Sequence, residues 1–301
     1  SQYNSFYFIA DYHALTSMRD KETLQDYSFQ IAAAWLALGL DPQKTIFYRQ
    51  SDINEIYEFA WILSCLTSKG LLNRAHAYKA AVDNNLKSHQ DMDHNINQGL
   101  FNYPVLMAAD ILLFKTDLVP VGADQKQHIE IARDIAETFN RHYGNILTLP
   151  EPLIHETTQI IPGIDGLKMS KNYNNTIPIF LPEKKLRKRI MQIVTDSMSV
   201  EQPKDPSRCN LFQLFKLFST TDQQTTLANQ YRAGGLGYGE VKQQLFEHML
   251  NYFSDARSRY NDIINHKKDC QNDLKKGQQK ARKIAQDTLT TVKKAIGITD
   301  L

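Results

Sequence analysis

Short apolar runs and helical periods take turns through the first half of this sequence, and that alternation limits the folds open to it. Residues 6–10 read FYFIA, a run without polar relief, as expected of a strand covered on both faces. Residues 21–39 follow with Ile31, Ala34, Trp35 and Leu38 on one helical stripe, stopped by Gly39 and Asp41-Pro42. TIFYRQ at 45–50 is a second strand, and 53–66 a second helix bearing Ile56, Phe59, Ala60, Ile62 and Leu63. The stretch 68–98 is polar and irregular and yields no element. A third helix opens at Tyr103-Pro104, with proline in its first turn, and runs to about Phe114. LVPVG at 118–122 is a third strand, and a helix over 124–142 turns Ile131, Ala132, Ile135, Ala136 and Phe139 inward. Strands separated by helices at this spacing pair in parallel, so the first half is expected to be a parallel α/β sheet.

From Pro182 onward the pattern is helical only, interrupted by EQPKDPS at 201–207 and RAGGLGYGE at 232–240. The 301 residues suffice for two domains, an α/β domain over 1–181 and a helical one over 182–301. No run of 18 apolar residues occurs, so no membrane span is expected. Cys65, Cys209 and Cys270 are far apart and form neither a disulfide framework nor a metal-ligand spacing, which suits a reducing cytoplasm. A net charge of +2 does not by itself argue for nucleic acid, so any such partner must meet a local patch. Two patches exist. Residues 267–294 hold nine Lys/Arg against three Asp, on the face opposite a stripe of Ala281, Ala285, Leu289, Val292 and Ile296. Residues 183–189 read EKKLRKR.

Three local constellations carry chemistry. In FNYPVLMAADILL, 101–113, a helix places Tyr103, Met107, Asp110 and Ile111 on one face. Asp110 is the sole acid there, and burying it requires a donor. The donor is either a group of the chain, such as a backbone amide or an Arg, or an N–H of a flat aromatic ligand. In VPVGADQKQHIE, 119–130, a strand ends at Gly122 and a helix begins near Asp124, where parallel sheets bind ligands and helix N-termini attract anions. Asp124 is then an N-cap or an acceptor for a ribose hydroxyl, and Gln125 can hold a polar substrate group. In GLKMSKNYNN, 166–175, Lys168 and Lys171 bracket Met169-Ser170 behind Gly163 and Gly166. Such a loop is a solvated surface feature, or a clamp whose two cations close on a polyphosphate around glycine pivots.

GLKMSKN is similar to the KMSKS signature of the class I aminoacyl-tRNA synthetases. YPVLMAADILL, DLVPVGADQKQHIE and FIADYHALT resemble the tryptophanyl branch of that family, in the family's order over most of residues 6–197. The resemblance implies a Rossmann-like catalytic domain over 1–181 with a KMSKS-like loop at 168–172. The helical domain over 182–301 fits anticodon recognition by architecture. It further implies activation of L-tryptophan with ATP, transfer to tRNA(Trp), Mg2+ travelling with the nucleotide and no protein metal site, a homodimer, and a cytoplasmic location. By motif, Asp110 would accept the indole N–H, and Met107, Ile111, Val119 and Val121 would line the ring. Tyr103 and Gln125 would hold the ammonium, with His13 near the carboxylate. Gly122, Ala123 and Asp124 would meet the adenosine and Ile160 the adenine. Lys168, Met169, Ser170, Lys171 and Asn172 would form the phosphate loop, its two lysines catalytic.

The tyrosyl branch shares the fold, but a phenol needs a partner that can accept and donate, whereas an indole N–H only donates. Met107 stands where tyrosine enzymes of the family commonly carry glutamine. Two positions depart from the pattern: Asn172 replaces the closing serine of the signature, and Ala123 replaces a glutamate. No H-x-G-[HN] follows the first strand, where the family's second phosphate-binding motif of that form stands; the one match, His142-Tyr143-Gly144-Asn145, lies at the end of the 124–142 helix. The motif's absence after the first strand leaves open a non-catalytic paralogue that binds RNA or a partner. It also leads to the expectation that a few tens of residues, with the motif and a central strand, precede Ser1.

Overall fold

The computed structural model describes residues 3–154 and 160–299. Among these the chain divides into two compact units, one within Ser1–Leu36, Leu40–Thr157 and His266–Leu301, the other within Ala37–Gly39 and Thr158–Asn265.

The first unit runs β1 (Phe6–Ile9), α1 (Asp11–Ala14), α2 (Lys21–Ala37), β2 (Ile46–Arg49), α3 (Glu55–Leu66), α4 (Lys69–Asn73), α5 (His76–Lys87), α6 (Gln98–Leu112), β3 (Leu118–Pro120), α7 (Lys126–Tyr143) and β4 (Glu151–Leu153). All pairing is parallel. β1 pairs with β2 in the register Phe6 to Ile46, and β3 with β4 in the register Leu118 to Glu151. Among the described residues these are two separate two-stranded pairs rather than one continuous sheet. The expected strands and helices lie where the apolar runs put them, but burial departs from the pattern: Tyr7 on β1, Ile31 on α2 and Leu38 just after it are exposed, and α2 buries Ala32, Ala33 and Ala37 instead. Four elements were not expected, the short α1 directly after β1 being the first of them. β4 is Glu-Pro-Leu and has no apolar run to announce it. α4 and α5 fold from the polar 68–98 stretch, α4 being capped by Ser68, whose hydroxyl accepts from the Leu71 N–H. α6 begins at Gln98, not Tyr103, because the Asn97 side chain caps it by accepting from the Leu100 N–H at 2.9 Å, and Pro104 therefore stands inside the helix.

The second unit holds α8 (Glu183–Met191), α9 (Asn210–Lys216), α10 (Thr221–Ala233), α11 (Tyr238–Tyr252) and α12 (Ser254–Asn265). Leu186, Ile190, Leu211, Phe215, Tyr231 and Leu245 form its core. Ile164, Met169, Ile177, Ile179 and Leu181 pack onto the same core, which places the lysine loop in this unit.

The division therefore differs from the expected break at 181/182 in two ways. It falls between Thr157 and Thr158, because the apolar residues of the lysine loop join the helical core. The last helix, α13 (Lys267–Ala295), returns to the first unit: Ala281, Ala285, Leu289 and Val292 are buried in the core of Ile56, Phe59, Leu112 and Ile131. α13 lies against β2 so closely that a Cβ at Gly277 would sit 1.7 Å from the Phe47 carbonyl oxygen, so only glycine fits. The Gln278 amide donates to the Asp52 carbonyl at 3.2 Å, and Arg282 and Gln286 both donate to Glu55 Oε1 at 2.9 Å. No helix among the described residues is long and apolar enough to cross a membrane.

Candidate functional site

The first unit gathers polar groups where β1 and β2 end, the position at which parallel α/β sheets receive ligands. α1 follows β1 directly, and a short 3-10 turn, Gln50–Asp52, follows β2. The two ends are stitched together: the Asp11 carboxylate accepts from the Ser51 N–H at 3.0 Å and from the Ser51 hydroxyl. The Gln50 carbonyl oxygen Oε1 accepts from the His13 N–H at 3.3 Å.

Asp110, on α6, is 4% exposed and faces this junction. Gln50 Nε2 donates to both its oxygens, at 3.0 Å to Oδ1 and 2.8 Å to Oδ2. His13 Nε2 lies 2.9 Å from Oδ2, and since a carboxylate only accepts, that nitrogen carries the proton. Burial pushes the Asp110 carboxyl above its ordinary 3.8, against the hydrogen bond and charge of His13 and the hydrogen bond of Gln50. Tyr48 is fully buried, and its hydroxyl is without a partner. Burial, with the nearby Asp110, drives its pKa well above that of a free phenol. The donors on Asp110 are thus an amide and an imidazole, neither a backbone N–H nor an arginine. His13 sits on the acid itself.

Tyr103, Met107, Asp110 and Ile111 share one face of α6 as the helical spacing requires, with Asp110 and Ile111 buried and Tyr103 and Met107 half-buried. The Tyr103 hydroxyl contacts His128 Nε2, and the Tyr103 ring stands edge-on to His13, centroids 6.1 Å apart. His128, on α7, is 5% exposed with Nδ1 unpartnered, and burial holds its imidazole below the usual histidine value.

Val119 and Val121 are half-buried, while Gly122, Ala123 and Asp124 are exposed. The helix expected from Asp124 is a 3-10 turn, Ala123–Gln125, before α7 starts at Lys126 with Gln125 as N-cap. Asp124 is therefore not the cap of α7. Its carboxylate leans back over Gly122, where a Cβ would meet Asp124 Oδ1 at 2.6 Å, and it accepts from Gln125 Nε2 at 3.2 Å.

In the second unit the lysine loop is a tight double turn. The Gly163 N–H donates to the Leu167 carbonyl at 2.7 Å and the Met169 N–H to the Ile161 carbonyl at 2.8 Å. Gly166 turns the chain at φ +83°, a conformation glycine adopts freely. Gly163 is buried and anchored rather than a pivot: its carbonyl accepts from Asn210 Nδ2 at 3.0 Å, and a Cβ there would strike the Asn175 amide at 2.4 Å. Lys168 and Lys171 are exposed, Met169 and Ser170 half-buried, and Ile160 is 71% exposed. Asn172 lies in the 3-10 turn Lys171–Tyr173, and its side chain falls outside the described residues. Among the described residues no group of three or more His, Cys, Asp and Glu could hold a metal ion.

Two site residues were missed from sequence. Gln50 had a signal, being the first residue after β2, at the ligand-binding end. His128 had one too, standing on the inward stripe of α7 three residues before Ile131 and seven before Ile135.

The family described as tRNA synthetases class I (W and Y) matches residues 1–254. The tryptophan–tRNA ligase of Pseudomonas aeruginosa is 47% identical over 304 residues, covering 100% of this chain and 68% of that protein. That of Pseudomonas putida is 48% identical, with 98% and 66% covered. The Campylobacter jejuni tryptophan–tRNA ligase is 49% identical over 293 residues, with 97% and 89% covered. A crystal structure of the Campylobacter jejuni enzyme, complexed with ADP and tryptophan, superposes with a TM-score of 0.90 at 48% identity, over 98% of this chain and 90% of that one. The chain accordingly belongs to the class I tRNA synthetases of the tryptophan and tyrosine branch, and within it to the tryptophan–tRNA ligases.

Proposed function

We propose that this chain activates L-tryptophan with ATP, releasing pyrophosphate, and transfers the aminoacyl group to the 3′ end of tRNA(Trp). The observation that carries this reading is the buried carboxylate of Asp110. A carboxylate offers about four acceptor sites. Gln50 and His13 make three contacts, two of them to Oδ2, so Oδ1 keeps capacity for one more donor. An indole N–H is a donor without an acceptor and suits that vacancy, with Met107, Ile111, Val119 and Val121 against the ring.

His128 Nε2, on an imidazole that burial holds below the usual histidine value, can accept the hydrogen bond of the Tyr103 hydroxyl, which leaves the phenolic lone pairs to the substrate ammonium, with Gln125 beside them. No side chain acts as nucleophile. The tryptophan carboxylate attacks the α-phosphorus, a carboxyl O–P bond forms, and the bond to the bridging oxygen breaks as pyrophosphate leaves. Catalysis is then positioning plus electrostatics: Lys168 and Lys171 offset charge on the leaving group, and Mg2+ held by the nucleotide shares it. Gly122, Ala123, Asp124 and Ile160 take the adenosine.

The exposed lysines of α8 and α13 suit the tRNA backbone. The reading includes a cytoplasmic homodimer, in which Trp61 on α3, 72% exposed, is a side chain that a second copy would cover. The test is charging of tRNA(Trp). Tryptophan should enter acid-stable tRNA, and tyrosine should not. A protein that binds tryptophan yet forms neither adenylate nor charged tRNA would leave a binder in place of an enzyme.

A further inference from the structure

We propose that Asn175 is the positioning residue of the lysine loop, holding Lys168 and Lys171 in place through one side-chain amide; this rests on the adenylation reading above. Asn175 is 1% exposed, and its amide bonds on every side. Oδ1 accepts from the Ser170 N–H at 2.7 Å. Nδ2 donates to the Lys168 carbonyl at 3.0 Å and to Asp165 Oδ1 at 2.8 Å. Its main-chain carbonyl accepts from the Ile164 N–H at 2.9 Å. The backbone on both sides of Met169 is therefore tied to one buried amide, and that backbone carries the two exposed lysines.

Two neighbours are shaped around this amide. Residue 163 is glycine because a Cβ would lie 2.4 Å from the Asn175 Cγ and Nδ2. Asp165 is held in turn by accepting from the Leu167 N–H at 3.0 Å. On the far side Arg189 donates to the Thr176 carbonyl at 2.8 Å and contacts the Asn174 carbonyl, which fixes the chain entering and leaving Asn175. The position demands an amide. It must accept from an N–H and donate to a carbonyl and a carboxylate at once, which an ionised aspartate cannot do.

The test compares wild type, Asn175→Ala and Asn175→Asp in tryptophan-dependent ATP–pyrophosphate exchange across a pH series, with tryptophan binding measured separately. Both variants should lose on the order of 100-fold in kcat, the scale of a misplaced catalytic group, with tryptophan binding unchanged. The nearly isosteric Asn175→Asp carries the diagnostic. At high pH its carboxylate faces that of Asp165, with Arg189 bonded to the carbonyls of Asn174 and Thr176 and the exposed Lys168 and Lys171 farther along the same loop. As pH falls, the carboxyl pair shares a proton, a donor returns, and exchange should recover relative to wild type. Asn175→Ala should show no such recovery. Wild-type kcat in Asn175→Ala overturns the proposal alone. So does a loss of tryptophan binding in step with kcat and without pH-dependent recovery in Asn175→Asp. A wild-type protein without exchange overturns the adenylation reading and this proposal with it.

Discussion

Replacing Asp110 by asparagine should weaken tryptophan binding while leaving the fold as stable as before or more so. The side chains are nearly isosteric, and an asparagine oxygen at the Oδ2 position still accepts from Gln50 Nε2 at 2.8 Å and His13 Nε2 at 2.9 Å, which puts its NH2, a donor, at the Oδ1 position. What is lost is the charged acceptor for the indole N–H. A buried donor left without its partner costs about 1–3 kcal/mol, or roughly 5- to 150-fold in affinity at 1.4 kcal/mol per tenfold. Stability moves the other way. Desolvation raises the folded-state pKa of Asp110 above 3.8, so the folded protein holds that proton more tightly than the unfolded chain. The stability tied to this group is full below the unfolded value and is lost as pH rises through the folded one. At neutral pH the ionised acid is therefore a burden that asparagine removes. Calorimetric titration with tryptophan and thermal melts at neutral and acidic pH read the two effects. The melting temperature of Asp110→Asn should equal or exceed that of wild type at neutral pH, with the gap closing as pH falls toward 3.8. Undiminished tryptophan affinity in a folded Asp110→Asn protein would refute the assignment of the indole partner.

Lys168→Ala and Lys171→Ala should each lower kcat for pyrophosphate exchange by about 10²–10³, the cost of removing one transition-state charge contact, with tryptophan affinity unchanged by titration. Gly277→Ala should destabilise the first unit by about 1–3 kcal/mol in urea unfolding, because its Cβ would lie 1.7 Å from the Phe47 carbonyl oxygen. Lys204 is 4% exposed and donates to the carbonyls of Ser199, Val200 and Gln202 at 2.8, 3.2 and 3.1 Å. Lys204→Met should lower the melting temperature, because the Ser199 and Gln202 carbonyls lose their donor at up to about 1–3 kcal/mol each, while the Val200 carbonyl still accepts from the Gly235 N–H at 2.8 Å.

The alternating pattern revealed β1, β2, β3 and α7, because both faces of the strands and one face of the helix are apolar. β4 was hidden by its composition: Glu151-Pro152-Leu153 pairs through backbone groups and contributes little to the core. The stripe on α13 showed which face is buried, but a row of Ala, Leu and Val does not name its partner. Only Gly277 hints at a backbone pressed against that helix. In the site, Asp110 was legible because an acid on an apolar face stands out. Its holders, His13 and Gln50, are 97 and 60 residues away in sequence, and the parallel β1–β2 pair is what brings their ends together. Asn175 was hidden for a different reason. A polar residue in a polar loop looks solvated until its burial is known.

One claim is central: a buried carboxylate selects an indole by its N–H and presents it for adenylation. The most direct test is ATP–pyrophosphate exchange measured in parallel with tryptophan, with its benzothiophene analogue, in which sulfur replaces the N–H, and with tyrosine. The expected result is exchange with tryptophan, kcat/KM for the analogue lower by roughly 5- to 150-fold, the range of an unpaired buried acceptor, and no exchange with tyrosine. Equal kcat/KM for tryptophan and the sulfur analogue would contradict the claim.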